Sequence, residues 1–336
     1  SRSMKYIEIE ASSTNSSETL LIESLHPIKE PKVFKRREKT HLYSVEHDGD
    51  RFLILTNWKA KNFRLMETNI NDSENKSKWR ELLPHRKEVL VQSFLSFPKN
   101  IVVIERKDGL RRIRILGSDG KPQHLVNFDD PSYSTYFAAN PEYDVTEFYF
   151  GYSSLRTPDS VYSVNLKKGR KKLLKQLEVK GLYSPARYRV KRLNILSRDK
   201  KLIPVSLVYK KNTFKKGKNP LFVYGYGSYG ISVDPSFSST RISLLDRGFV
   251  FAIAHVRGGQ ELGRQWYEEG KMFKKKNTFN DFIDVTKGLI NLGYGDQKKV
   301  FAGGGSAGGL LIGSVINMEP ELYKGIISNV PFVDIM

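Results

Sequence analysis

A short apolar run that ends in a serine surrounded by glycines constrains the fold of this chain more than any other segment. Residues 300–302 are apolar, residues 303–309 have the sequence GGGSAGG, and a helical apolar pattern follows. This arrangement predicts a strand, a tight turn and a helix, with a hydroxyl at the apex. The G-x-S-x-G spacing of Gly304, Ser306 and Gly308 is typical of a nucleophile elbow, in which the serine is strained and only glycine fits around it. Ser306 is therefore the candidate nucleophile.

Glycine-rich turns of this kind have two other interpretations. Some bind phosphates, and others only let a helix pack closely on a sheet. The phosphate interpretation is weaker, because no Lys-Ser/Thr pair follows the glycines and the G-x-G-x-x-G spacing is met only loosely by Gly303, Gly305 and Gly308. If Ser306 is the nucleophile, the backbone N–H of Ala307 points at the oxygen that becomes negative during acyl transfer.

Composition excludes several classes of protein and site. A chain of 336 residues suggests two domains. No apolar run approaches the roughly 18 residues of a membrane span, so no membrane partner is expected. The chain has no cysteine, which excludes disulfides and thiolate catalysis and fits a reducing cytoplasm. No metal cluster or cofactor motif is found, so neither a metal nor a cofactor is predicted.

The net charge of +20 raises the question of a nucleic-acid partner. Basic clusters occur at 167–172 and 210–218, and both flank glycines in predicted turns. Lysine is nevertheless spread along the whole chain, and no nucleic-acid-binding signature accompanies it. We therefore predict no nucleic-acid partner.

The first half of the chain, to about residue 185, shows short alternating runs separated by turn residues. Such runs predict strands, and Asp-Gly pairs mark the hairpin tips. Blocks of about four strands begin near Tyr43, Phe94 and Tyr136, with the spacing of roughly 40 to 50 residues that a β-propeller blade occupies. We predict a partial β-propeller over residues 1–185, with a β-sandwich as the alternative.

A different pattern begins near residue 187, where apolar runs become nearly continuous. Unbroken apolar strands are what a sheet covered on both faces requires. Strands are predicted at 190–196, 203–209, 221–224 and 249–256.

Helical patterns alternate with strands toward the end of the chain. Thr278 is predicted as the N-cap of a helix that ends before Gly293, and a helix over 310–317 and a strand over 325–330 follow. This alternation predicts a mostly parallel, doubly wound sheet. Ser306 then lies at the carboxyl edge of the sheet, where open α/β sheets bind ligands.

Five segments in this order carry a resemblance to a known family: 224–230 (YGYGSYG), 255–263 (HVRGGQELG), 275–279 (KKNTF), 304–309 (GGSAGG) and 330–334 (VPFVD). Together they resemble the oligopeptidase B branch of the prolyl oligopeptidase family of serine peptidases. The resemblance implies that residues 1–185 are later blades of a propeller. It also implies that residues 186–336 are part of an α/β-hydrolase catalytic domain that carries the nucleophile elbow.

The resemblance also implies roles for single residues. Ser306 would be the nucleophile, and the Ala307 N–H and the Tyr226 phenol would be the two oxyanion donors. Asp234 matches an acidic position near the subsite for the second substrate residue, and Tyr229 matches an aromatic wall of the primary pocket. The family cleaves peptides after Arg or Lys, so short basic peptides are the expected substrates.

The catalytic base and its acid are not found after Ser306 in this chain. All six histidines precede Ser306, and His255, in the hydrolase-like half, matches a position outside the triad. Asp334 likewise does not match the triad acid. We expect the triad Asp and His, and the acidic residues of the primary pocket, to come from further segments or a complementing chain. Without them, the 336 residues alone are expected to be inactive.

Two charged residues of the 255–263 segment, Arg257 and Glu261, are expected to be exposed loop charges that organise the loop around the cavity. Two alternatives to a basic-specific peptidase stay open. One is another α/β-hydrolase, such as a prolyl peptidase or an esterase, that uses the same elbow. The other is a non-catalytic binding fragment, in which the propeller binds a partner.

Overall fold

Antiparallel sheets of consecutive strands make up the chain as far as Gln176 in the computed structural model, which describes residues 1–333. The first sheet has three strands and the next three have four strands each. The strands are β1 (Tyr6–Ser12), β2 (Ser17–Glu23) and β3 (Lys32–Lys35); β4 (Tyr43–Asp48), β5 (Arg51–Thr56), β6 (Arg64–Thr68) and β7 (Arg80–Leu83); β8 (Val89–Phe97), β9 (Asn100–Lys107), β10 (Leu110–Gly117) and β11 (Pro122–Leu125); β12 (Tyr133–Phe137), β13 (Glu147–Ser154), β14 (Ser160–Asn165) and β15 (Lys171–Gln176).

These sheets are the blades of a β-propeller, as predicted. The sheet of β8 to β11 shares one buried apolar cluster with the preceding sheet, through residues such as Leu53 and Val103. It shares a second cluster with the following sheet, through residues such as Ile113 and Phe148. A sheet packed on both faces by other sheets excludes the β-sandwich alternative, in which each sheet has one partner.

The turns between strands follow the predicted chemistry. In the β9–β10 hairpin, Asp108 and Gly109 both have positive φ, 51° and 78°. A two-residue type I′ turn requires this at both positions, which is why an Asp-Gly pair occupies it.

The second half of the chain contains a six-stranded sheet with the order β16-β17-β19-β18-β20-β21. The strands β18 to β21 run parallel to one another, and β16 and β17 add an antiparallel edge. This is the predicted, mostly parallel sheet of a partial α/β-hydrolase domain. Its elements are β16 (Tyr188–Leu196), β17 (Leu202–Lys210), β18 (Leu221–Tyr224), α1 (Ser239–Asp246), β19 (Val250–Ala254), α2 (Arg264–Glu268), α3 (Lys276–Asn291), β20 (Val300–Gly305), α4 (Ala307–Met318) and β21 (Gly325–Asn329).

The helices α3 and α4 pack on this sheet and complete its core. Phe282 and Leu289 of α3, and Leu311 and Val315 of α4, are fully buried in one apolar cluster with the central strands. This packing fixes α4 directly behind the end of β20, which determines where Ser306 lies. Among residues 1–333, no helix is both long and apolar enough to cross a membrane.

The predicted N-cap of α3 is wrong. The helix begins at Lys276, so Thr278 lies in its first turn. The Thr278 hydroxyl donates instead to the carbonyl oxygens of Arg257 (2.7 Å) and Gly270 (3.2 Å). The Thr278 side chain therefore makes a tertiary contact and does not form the helix cap that the local pattern predicted. Gly293 does follow the end of the helix with a φ of 81°, as predicted.

Candidate active site

Ser306 occupies a strained turn between β20 and α4. Its backbone angles are φ 53° and ψ −119°, a conformation that is costly for a residue with a Cβ. Its N–H donates to the Asn329 carbonyl of β21 (2.9 Å), and its carbonyl accepts from the N–H groups of Gly309 (2.8 Å) and Phe332 (2.9 Å). The residue is exposed. The neighbouring strand and helix therefore hold the backbone while the hydroxyl stays accessible, as in a nucleophile elbow.

The glycines around Ser306 are required by close backbone approach. A Cβ on Gly304 would lie 2.4 Å from the Gly308 carbonyl oxygen. A Cβ on Gly308 would lie 2.9 Å from the carbonyl oxygen of Gly225. Side chains at these positions would push α4 away from the sheet, so the G-x-S-x-G pattern follows from packing as well as from the strained turn.

The backbone N–H of Ala307 is available as a donor at this edge. Ala307 is the first residue of α4, and its side chain is buried. The first N–H groups of a helix have no intrahelical acceptor, and the positive end of the helix dipole lies there. A developing negative charge beside Ser306 would thus meet an N–H group and a favourable field.

The structure also places Tyr226 beside the first turn of α4. It follows β18, and its ring atom Cδ2 lies 3.3 Å from the position of a Cβ on Gly308. The ring therefore packs against the first turn of α4, next to Ala307. Within residues 1–333 the Tyr226 hydroxyl has no hydrogen-bond partner, and the side chain is half-buried.

A cavity of about 390 Å³ opens beside these groups. Ala307, Tyr229 and Phe332 contribute to its wall, so the structure places Tyr229 in the cavity next to the predicted oxyanion donor. Tyr229 is exposed and has a φ of 56°. The charged groups of the wall are Arg264, Lys271 and Lys275, and none of its described residues is acidic.

Asp234 is not part of that cavity wall. Its carboxylate accepts from both Nη atoms of Arg106 in β9 (2.7 and 3.1 Å), and Arg111 Nε lies 3.3 Å away. Burial alone would raise the pKa of Asp234, but the charge and hydrogen bonds of Arg106 outweigh it and lower the pKa. The structure thus places Asp234 in an ion pair between the propeller and the hydrolase domain. It lines a separate depression together with Tyr224 and Ser236.

The prediction that Arg257 and Glu261 are exposed loop charges is wrong. Their exposed fractions are 2% and 3%. Arg257 donates to Asp281 of α3 (Nε–Oδ2, 2.8 Å) and to Asp199 (2.6 and 3.1 Å). Glu261 accepts from the Val233 N–H (3.0 Å). Arg257 and Glu261 thus connect segments of the hydrolase domain that are distant in sequence.

His255 lies within the interface between the two domains. Its exposed fraction is 1%, its Nε2 is 2.7 Å from the Ser206 hydroxyl, and Ser206 in turn bonds to Ser132 of the propeller. Burial lowers the pKa of His255, which favours the neutral ring. In the part of the chain that the structure describes, no histidine hydrogen-bonds to Ser306.

We therefore expect His255→Gln to affect stability and leave the reactivity of Ser306 intact. Loss of the ring nitrogen removes one of the buried partners of Ser206, and a hydrogen bond of this kind contributes about 0.5–1.5 kcal/mol to the unfolding free energy. Urea unfolding measures this contribution, and the rate of fluorophosphonate labelling measures Ser306. The exposed His26 offers a control, since His26→Gln should alter stability by less than about 0.5 kcal/mol. A large loss of labelling in a folded His255→Gln variant would contradict the assignment.

Lys275 was noted in the sequence only as part of the 275–279 segment, and no role was predicted for it. Its Nζ donates to the Gly227 carbonyl (2.5 Å) and to the Ser228 hydroxyl (2.7 Å), in the turn that carries Tyr226. A lysine directly before a helix opposes the helix dipole, but this position was not evident from the sequence because Thr278 was predicted as the N-cap. The neighbouring lysines at 274 and 276 also make 274–276 resemble an ordinary charged surface.

Comparisons with known proteins agree with this architecture. A family model described as the prolyl oligopeptidase N-terminal β-propeller domain matches residues 1–177, and the prolyl oligopeptidase family model matches residues 235–336. Dipeptidyl aminopeptidase BI of Pseudoxanthomonas mexicana is 45% identical over 100% of this chain and 46% of its own length. Protease 2 of Moraxella lacunata is 39% identical over 100% of this chain and 48% of its own length.

Solved structures lead to the same family. Oligopeptidase B from Trypanosoma brucei, in a closed form with covalently bound antipain, superposes with a TM-score of 0.92 at 34% identity, covering 100% of this chain and 49% of that chain. Oligopeptidase B from Leishmania major superposes with a TM-score of 0.90 at 35% identity, covering 98% of this chain and 48% of that chain. The chain spans about half the length of the curated relatives it matches. With a propeller model matching more than half of its residues and a peptidase model matching the elbow, the chain belongs to the prolyl oligopeptidase family.

Proposed function

We propose that this chain supplies the nucleophile and the oxyanion hole of a serine peptidase that hydrolyses short peptides after Arg or Lys. The observation that carries the proposal is the convergence at the start of α4. An exposed, strained Ser306, the first N–H of α4 at Ala307 and the Tyr226 ring all meet there. Oligopeptidase B from T. brucei binds antipain covalently, and a nucleophile in a member of the same family supports the proposal.

The chemistry proceeds through an acyl-enzyme. The Ser306 Oγ attacks the scissile carbonyl carbon and loses its proton to a base. The carbonyl oxygen becomes negative and accepts from Ala307 N–H and the Tyr226 phenol. The amine leaves with the proton that the base returns, and water then hydrolyses the ester. We propose that the base and its acid, a His and an Asp, lie outside these 336 residues.

Specificity for Arg or Lys also requires groups from outside the chain. The described wall of the cavity contributes cations and no carboxylate. Asp234, the predicted acidic contact for the second substrate residue, is held by Arg106 and Arg111. Carboxylates that bind the substrate cation would therefore come from segments beyond this chain, and Asp234 would have to exchange arginine partners to serve as a subsite. The propeller would restrict access to short, unfolded peptides, and the lack of cysteine fits a cytoplasmic location.

A panel of substrates tests this function in the full-length protein. We expect kcat/KM for blocked peptides with Arg or Lys before the scissile bond to exceed that for Pro by about tenfold or more. The same panel includes a simple ester and a dipeptide with a free amino end, because one relative is named a dipeptidyl aminopeptidase. Preference for Pro, or turnover of the ester alone, would reject the basic-peptide assignment. Strict dependence on a free amino end would replace it with dipeptide removal.

A further inference from the structure

Lys275 lies at the junction of the cavity and the oxyanion turn. It directly precedes α3 and lines the cavity beside Ala307. Its ammonium group donates to the Gly227 carbonyl and the Ser228 hydroxyl, and no carboxylate oxygen among residues 1–333 lies within ion-pair distance of it. Burial lowers the pKa of Lys275 to about 8. The charge is half-buried at the cavity wall and held by two neutral acceptors.

A lysine is an unfavourable choice for this position if it serves stability alone. Partial burial of a charge that has no counter-ion within residues 1–333 costs free energy, and the positive end of the α3 dipole adds repulsion. Lys274 and Lys276, the neighbours in sequence, are exposed and do not carry this cost. Residues that break local rules in this way are expected at functional sites.

The acceptors of Lys275 belong to the turn over residues 226–228, whose other backbone contacts are close. Gly227 has a φ of 69°, and a Cβ on it would lie 2.3 Å from Thr278 Cγ2. A Cβ on Gly258 would lie 1.9 Å from the Gly227 carbonyl oxygen, so this oxygen is confined by the Gly258 backbone as well as by Lys275. Tyr226, one residue earlier, packs against Gly308. The carbonyl group that Lys275 holds therefore lies one residue beyond Tyr226.

We infer that Lys275 is a positioning residue for the oxyanion hole, which clamps the 226–228 turn so that the Tyr226 hydroxyl and the Ala307 N–H converge on one oxygen. The inference rests on the proposed function and deepens it. Because Lys275 acts through Tyr226, it matters only while the phenol is present. A structural lysine would contribute whether or not residue 226 can donate.

A double-mutant cycle in the full-length protein separates these two roles. Wild type, Lys275→Met, Tyr226→Phe and the double variant are compared on a blocked arginyl peptide. We expect Lys275→Met to lower kcat by about tenfold or more and to change KM by less than about threefold. In the Tyr226→Phe background the same change should lower kcat by less than about twofold. Equal fold losses in the two backgrounds would overturn the inference.

Two further variants keep the test decisive. Lys276→Met removes an exposed lysine from the same helix start and should leave kcat within about twofold of wild type. If Lys275→Met does not fold, as judged by thermal unfolding, Ser228→Ala removes one acceptor and retains the lysine. We expect it to lower kcat by about threefold, and this loss should also vanish in the Tyr226→Phe background. A loss that persists there counts against the inference.

Failure of the proposed function has a different signature. If Ser306→Ala still hydrolyses the arginyl peptide, the peptidase assignment itself fails, whatever the cycle shows. If Ser306 is essential and the effects of Lys275 and Tyr226 are independent, only the positioning role fails.

Discussion

Replacing Ser306 with alanine is expected to abolish peptide hydrolysis by the full-length protein, with kcat falling by roughly 10⁴- to 10⁶-fold. No other hydroxyl is placed at the apex of the elbow, so an acyl-enzyme cannot form in the variant. Steady-state hydrolysis of a blocked arginyl peptide measures the loss. The residual rate reports what the oxyanion hole and substrate binding achieve without a nucleophile.

The matched control is Ser314→Ala in the same helix. The Ser314 hydroxyl donates to the Leu310 carbonyl within α4 and plays no part in the site. Its removal should leave kcat within about twofold of wild type. Substantial hydrolysis by Ser306→Ala, above a level that contamination with wild type explains, would mean that another residue performs the chemistry.

Replacing Tyr226 with phenylalanine is expected to lower kcat by roughly 10²- to 10³-fold while KM changes little. The phenol would donate to an oxygen that becomes fully negative only in the transition state, so its loss leaves substrate binding almost unaffected. A peptide aldehyde that forms a tetrahedral adduct with the serine should lose affinity by a similar factor. Inhibition constants for the aldehyde and kinetic constants for the matching substrate test both parts.

Tyr224→Phe provides the control for this prediction. Tyr224 ends β18 two residues earlier and lines the separate depression next to Asp234. Its hydroxyl is therefore expected to contribute less than about threefold to kcat. If Tyr226→Phe raised KM and left kcat unchanged, Tyr226 would be a substrate contact and not an oxyanion donor.

Local sequence signals predicted the parts of the fold that depend on local chemistry. The glycines near Ser306 and the Asp-Gly turns are placed by backbone geometry, which a short segment specifies by itself. The apolar runs of β18 and β19 indicated a sheet covered on both faces, as observed. The convergence of Tyr226 on the start of α4 required the family resemblance, because no periodicity relates residues 226 and 306.

Pairings between distant residues could not be predicted from the sequence. Arg106 and Asp234 are separated by 128 positions, and nothing near either residue indicates the ion pair. Arg257 was expected to be an exposed loop charge, yet it is buried and forms ion pairs with Asp199 and Asp281 from two other segments. Thr278 failed as a cap for the same reason, since its hydroxyl bonds to the Arg257 carbonyl. For each of these residues, the structural role depends on a partner that is distant in sequence and not on the local sequence pattern.

Covalent labelling tests whether the hydroxyl of Ser306 is an activated nucleophile. The full-length protein is treated with a fluorophosphonate, digested, and analysed by peptide mass spectrometry. We expect a single adduct, on Ser306, whose formation slows when an arginyl peptide competes and which is absent from Ser306→Ala. If the folded, full-length protein acquires no adduct on Ser306, or acquires one elsewhere while it hydrolyses the peptide, Ser306 is not the nucleophile.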